Sequence, residues 1–154
     1  MKRCPECGFG AVRSVQADEK LQVGTRIFTR SLPGKRCEKC GATYTAARDL
    51  AVLEMAAASE IIESGEVSPE SFRFLRKVLG MRAQDLAPLL QIAPENLSKW
   101  ENGHARVPPT AWVLLAEMVV AKRDGRGMTE KLLKRAASPK PLPQAVRLAS
   151  KHAA

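Results

Sequence analysis

No run of 18 or more apolar residues occurs among the 154, which is the length a helix needs to cross a bilayer. A cysteine at position 4 stands where a signal peptide would carry its apolar core. A cytoplasmic chain without a membrane partner is the expectation. Only two histidines occur, His104 and His152, and neither G-x-G-x-x-G nor G-x-x-x-x-G-K is present to cradle a phosphate. No paired carboxylates form a recognisable site, and no segment repeats. These absences argue against an enzyme. Acidic residues are also outnumbered, 16 against 25 Lys and Arg, so the formal net charge is +9 and the pI is near 9.8. That balance suits a polyanionic partner and says nothing about fold.

The charge is uneven. Residues 1–39 hold nine Lys and Arg against four acids, residues 40–121 seven against ten, and residues 122–154 nine against two. Both ends are basic and the middle is slightly acidic. Binding a divalent ion through four thiolates would remove two charges from the first segment.

The four cysteines form two C-x-x-C pairs, Cys4 with Cys7 and Cys37 with Cys40, and glycine follows each pair as Gly8 and Gly41. A C-x-x-C turn presents two thiolates from one knuckle, and two knuckles close the tetrahedral shell that zinc prefers. One structural Zn2+ on Cys4, Cys7, Cys37 and Cys40 is expected, with no position left for water or substrate. Two disulfides, or a thioredoxin-like redox pair, are the competing readings. The first needs an oxidising compartment and the second needs only one copy of the motif. The 29 residues between the pairs exceed the usual ribbon spacing of roughly 15–20. Strands can fill such a loop.

Composition divides the chain into four parts. Residues 1–45 are rich in Gly, Thr, Val and charge, with alternating stretches at Ala11–Val15, Leu21–Thr29 and Thr43–Thr45 that read as strands of a small meander. Such a module buries too little to fold without metal. Residues 46–67 turn to Ala, Leu, Met and Glu, with Leu50, Leu53, Ala57 and Ile61 at helical spacing until Ser64-Gly65, and read as a connector helix. Residues 68–137 carry five short helices. Ser68 caps the first, which runs to Leu79-Gly80, and the others cover Ala83–Leu90, Pro94–Glu101, Pro109–Lys122 and Thr129–Ala137. Residues 138–154 form a basic tail with three prolines, read as extended and poorly ordered apart from a short helix over 144–150. The fold class is therefore mainly α with a small zinc-bound β module.

Between Leu75 and Gly103, apolar residues at 75, 79, 86, 89, 90, 92, 97 and 100 are spaced to pack three short helices, with Gln91-Ile92-Ala93 as the turn before the third. This stretch resembles the Xre or lambda-repressor type of helix-turn-helix, above all in Leu97-Ser98-Lys99-Trp100-Glu101-Asn102-Gly103 and the following Arg106-Val107-Pro108. The resemblance implies a C-terminal bundle whose second motif helix enters the major groove of double-stranded DNA. Glu95, Asn96, Ser98 and Lys99 would then read base edges, while Arg82, Gln84, His104 and Arg106 would contact phosphates. This sequence departs from the type at Arg82-Ala83, where members often carry Thr-Gln, and at Pro88 inside the second helix.

A Cys4 finger opening at residue 4, a helical connector and an Xre-type helix-turn-helix together resemble the MqsA, or YgiT-type, antitoxins over roughly residues 1–120. The likeness implies a homodimeric, nucleoid-associated repressor of its own operon whose zinc finger docks a ribonuclease toxin. Matched through Ser98, Trp100, Glu101 and Gly103, the family's base-reading asparagine and arginine fall on Glu95 and Lys99, which implies a different operator. A free-standing regulator without a toxin is the alternative, and a thiol redox enzyme the remote one.

Overall fold

The computed structural model describes residues 3–141, so the helix expected over 144–150 and most of the tail lie outside the described residues. Strand β1 (Val12–Val23) pairs antiparallel with β2 (Arg26–Cys37), and β3 (Thr43–Thr45) joins the far end of β2. The strand expected over Leu21–Thr29 is instead the turn of this hairpin. Val23 pairs with Arg26, leaving Gly24 and Thr25 as a two-residue loop. Gly24 has φ +60 and Thr25 does not share the positive sign. That is the type II′ pattern, whose twist matches the flanking strands. Apolar residues line both sides of so short a loop, so the sequence reads as one uninterrupted strand.

One face of the hairpin is largely apolar, with Glu19 opposite Arg30 as charged positions on it. Ala17 opposes Leu32 and Leu21 opposes Phe28, with Val23 at the tip. Ala17, Leu32 and Val23 are buried. Gly34 is needed where the sheet is tightest: a Cβ there would lie 3.1 Å from Ala17 Cβ and 3.2 Å from the Tyr44 carbonyl oxygen.

Helix α1 (Ala47–Ser64) covers this face and stops at Gly65, which takes a left-handed conformation and donates its N–H to the Ile62 carbonyl. Its buried side chains are Leu53, Ala57, Ala58 and Ile61, and the two alanines let neighbouring elements approach closely. Besides both long strands, α1 touches α2 (Pro69–Val78) and α5 (Pro109–Arg123). It is a shared wall between sheet and helices.

The remaining helices are α3 (Ala83–Leu89), α4 (Pro94–Glu101) and α6 (Met128–Ala137). Phe72, Leu75, Leu86, Leu97, Leu115 and Val119 are fully buried and form one core. Trp112 is buried against it, and Trp100 stands edge-on to Phe72 with ring centroids 5.9 Å apart. Val23 from the hairpin tip belongs to the same core, with Leu21 and Phe28 packed alongside. Gly24 comes against Glu70, and Arg26 pairs with Glu66. The apolar packing thus runs across residue 45 without a break.

Ser68 caps α2 by accepting the Ser71 N–H at 3.1 Å. Pro88 falls in the last turn of α3, and the chain then reverses at Gln91, whose φ of +54 is the one positive value at a non-glycine among the described residues. Ile92 donates its N–H back to the Ala87 carbonyl at 3.1 Å, closing the helix end. Among the described residues no helix is long and apolar enough to cross a membrane.

A buried ion pair ties α2 to the end of α4. Arg76 Nε and Nη2 donate to Glu101 Oε1 and Oε2 at 2.5 and 2.8 Å, and Arg76 Nη1 donates to the Met81 carbonyl at 2.7 Å. Arg73 Nη2 donates to the Glu101 carbonyl at 2.7 Å. Removing one partner strands a buried charge, so Glu101→Ala should destabilise the fold by about 3–5 kcal/mol in denaturant titrations. Replacing both partners with apolar residues, Arg76→Met with Glu101→Leu, should cost far less than the single change.

Candidate functional site

The two cysteine knuckles have the same backbone. Gly8 donates its N–H to the Cys4 carbonyl at 2.9 Å, and Gly41 donates to the Cys37 carbonyl at 3.1 Å. Both glycines have positive φ, +68 and +75, a conformation side-chain-bearing residues rarely adopt. Cys4 donates to the Phe9 carbonyl and Cys37 to the Ala42 carbonyl, each at 2.9 Å, and Glu38 donates to the Ala11 carbonyl at 3.2 Å. Cys37 ends β2, so the long hairpin carries the second knuckle back to the first.

The four sulfurs lie within 4.8 Å of one another, with Cys4 to Cys40 and Cys7 to Cys37 both at 3.6 Å. Neither contact is a disulfide, and all four thiols are free. A tetrahedral ion with metal–sulfur bonds of about 2.3 Å has sulfur–sulfur edges of about 3.8 Å. The cluster fits such an ion with only small adjustment, and its four soft donors leave no coordination position open.

Cys4 and Cys37 are buried while Cys7 and Cys40 face solvent. Burial pushes the Cys4 thiol up, yet the Tyr44 hydroxyl at 3.0 Å and the backbone at Cys7 and Glu6 bring it down to about 6. The Cys40 backbone holds the Cys37 thiol below its ordinary value against the effect of burial. For Cys40 the Ala42 backbone works downward, but burial and the three neighbouring sulfurs prevail and raise it to about 12. Tyr44 is itself pushed up, by burial and then by Cys4. Sequence reasoning missed Tyr44; its place on β3, four residues beyond the last cysteine, was the available signal.

On α4, Glu95, Asn96, Ser98 and Lys99 are all exposed, while Leu97 and Glu101 point into the core and Trp100 is half-buried. The four expected base readers therefore share an outward surface. Ser98 is partly engaged, its hydroxyl and carbonyl accepting from Asn102 Nδ2 at 3.2 and 2.9 Å. The expected phosphate contacts are exposed as well. Arg82 at the start of α3 is held by Asp85 in a two-pronged pair at 2.8 and 3.0 Å, and this pairing keeps the Asp85 carboxyl below its usual range. Gln84 lies beside the same guanidinium. His104 and Arg106 sit on the loop after α4, where the His104 N–H donates to the Lys99 carbonyl at 2.8 Å. Sequence reading also missed Arg76 and Arg73, which anchor α4 from behind and resemble any other exposed helical arginine when only spacing is visible.

A family model described as the antitoxin component of a bacterial toxin-antitoxin system, MqsA, matches residues 1–124. It spans the cysteine module and the helices through α5. No curated protein matches the chain.

The thiol chemistry makes metal uptake proton-linked. With Cys40 raised to about 12, binding of Co2+ at pH 7 should release protons from the thiols that still carry them, Cys40 among them. Uptake should weaken as pH falls, and more steeply below about 6, where Cys4 too becomes protonated. Visible absorption of tetrahedral Co2+–thiolate, followed in parallel with a pH indicator, measures both. Cys37→Ser should abolish the spectrum.

Proposed function

The chain belongs to the MqsA family of antitoxins, and from that premise we propose that it is the antitoxin of a type II toxin-antitoxin pair, which neutralises a ribonuclease toxin and represses its own operon. The observation that carries this reading is the extent of the family match, which takes in the cysteine module and the helices together. The protein is then regulatory and not an enzyme, and it works in the cytoplasm on the nucleoid.

The ion at the cysteines is one structural Zn2+. Cys4, Cys7, Cys37 and Cys40 would hold it, and its chemistry is to join the two knuckles at the open end of the hairpin and keep the sheet in shape for a protein partner. Exposure of Cys7 and Cys40 leaves the cluster at the surface, where a docked toxin can cover it.

Helices α3 and α4 act as the helix-turn-helix. Their short connection at Gln91, the start of α4 at Pro94 and the outward set of Glu95, Asn96, Ser98 and Lys99 support placing α4 in the major groove. Lysine donates to guanine, asparagine pairs bidentately with adenine and glutamate accepts from cytosine. Arg106 and His104 follow α4 where the DNA backbone passes. Arg82 needs its pairing with Asp85 loosened, or shared, before it reaches a phosphate. One such helix reads a half-site, so a homodimer on a palindromic operator completes the unit. The basic segment after Ala121 adds phosphate affinity that is independent of sequence.

Footprinting on the DNA upstream of the gene tests the repressor half. Protection is expected at low salt, and Lys99→Ala should weaken it about tenfold while leaving the thermal melt unchanged. Absent protection, or protection indifferent to Lys99→Ala, would refute it. Co-purification with the product of the adjacent reading frame tests the antitoxin half, and a protein that binds DNA but no neighbouring product is a free-standing regulator.

A further inference from the structure

Helix α1 is apolar on more of its circumference than the chain covers. Leu53, Ala57, Ala58 and Ile61 are buried against sheet and helices, but Ala51 and Val52 are exposed, Val52 by 47%. A soluble helix usually turns charge toward water on its free side. Here Arg48, Val52, Met55 and Ser59 follow one another at steps of four, three and four, which places them on one stripe.

The stripe floors a shallow cavity of about 350 Å3 with Arg48 at one end, Arg30 of β2 at its side and Arg123 of α5 at the other end. Three elements therefore build the rim. Arg48 is 88% exposed and only 3.8 Å from Asp49 at its nearest. Arg123 donates to Asp124 at 2.9 Å and to the Ser59 hydroxyl at 3.3 Å. Among the described residues no carboxylate lies within ion-pair distance of Arg30, because Glu19, which opposes it across the hairpin, accepts from the Thr45 hydroxyl instead. The groove is apolar on its floor and ringed by three arginines, of which Arg30 alone has no carboxylate within ion-pair distance among the described residues.

We infer that this groove is a docking site for an acidic segment of the toxin, which seats one apolar side chain on Val52 and Met55 and sets carboxylates against Arg30, Arg48 and Arg123. The inference rests on the antitoxin reading and locates its contact. A second copy of the chain fits poorly, since a two-fold contact on this face would bring the arginines of both copies together. A nucleic acid would match the rim but leave the apolar floor without a complement. An apolar anchor inside a ring of opposite charge satisfies both parts.

The test is calorimetric titration of the full-length, metal-loaded protein with the product of the adjacent reading frame. Val52→Asp, and separately Arg30→Glu with Arg48→Glu, should each weaken binding by at least about tenfold with an unchanged thermal melt. Wild-type affinity should also fall with added salt more steeply than that of the charge-reversed protein. Wild-type binding that neither variant disturbs overturns this site and leaves the antitoxin reading standing. Absence of wild-type binding overturns both. A shift of Val52→Asp toward a smaller species in sedimentation would show that a second copy covers the groove, and would overturn the inference.

Discussion

A three-stranded sheet with one face in water cannot bury enough apolar surface to hold itself together, and everything in the N-terminal third answers that constraint. The hairpin is clamped at both ends. At its open end four thiols converge, with two identically bonded knuckles joined by the Glu38 to Ala11 hydrogen bond. At its closed end Val23 enters the core formed by Phe72, Leu75 and Ile61, and Arg26 reaches Glu66. Between the clamps, Ala17 and Leu32 lie under α1. Each anchor limits the fraying that the other cannot reach.

The same arrangement makes α1 more than a connector. Its inner face serves the sheet and the bundle together, and the two twelve-residue strands run from the cysteines to the core that supports α4. Four unpaired thiols, one lowered to about 6 and one raised to about 12, form a polarised cluster suited to a doubly charged ion. Tyr44 contributes the hydroxyl that favours the Cys4 thiolate.

On the far side of the core, the outward surface of α4 depends on what holds its inner side. Leu97 packs in the core, Trp100 meets Phe72 edge-on, and Glu101 is gripped by Arg76 with help from Arg73. Such a pair does little for stability compared with apolar residues of similar size. Its two-pronged geometry does define how the helix end sits against α2. Glu95, Asn96, Ser98 and Lys99 are left facing outward as a consequence of that seating.

Local chemistry was legible in the sequence wherever a short segment decides its own structure. Cysteine pairs followed by glycine implied matched knuckles, Ser68 with Pro69 started α2, Pro94 started α4, and Gly65 ended α1, because caps and turns act over three or four residues. The Gly24–Thr25 turn escaped notice since alternation has the same period on both sides of it. Contacts between distant residues stayed hidden for a different reason. That Val23 serves the helical core, that Tyr44 meets Cys4, that Arg76 grips Glu101 and that Arg30, Arg48 and Arg123 ring an apolar strip each depends on residues 18 to 93 positions apart meeting in space. Side-chain spacing along one element carries no record of its neighbour, so the sequence by itself determined the helices and the four paired cysteines, and only the tertiary structure decided which faces remain free.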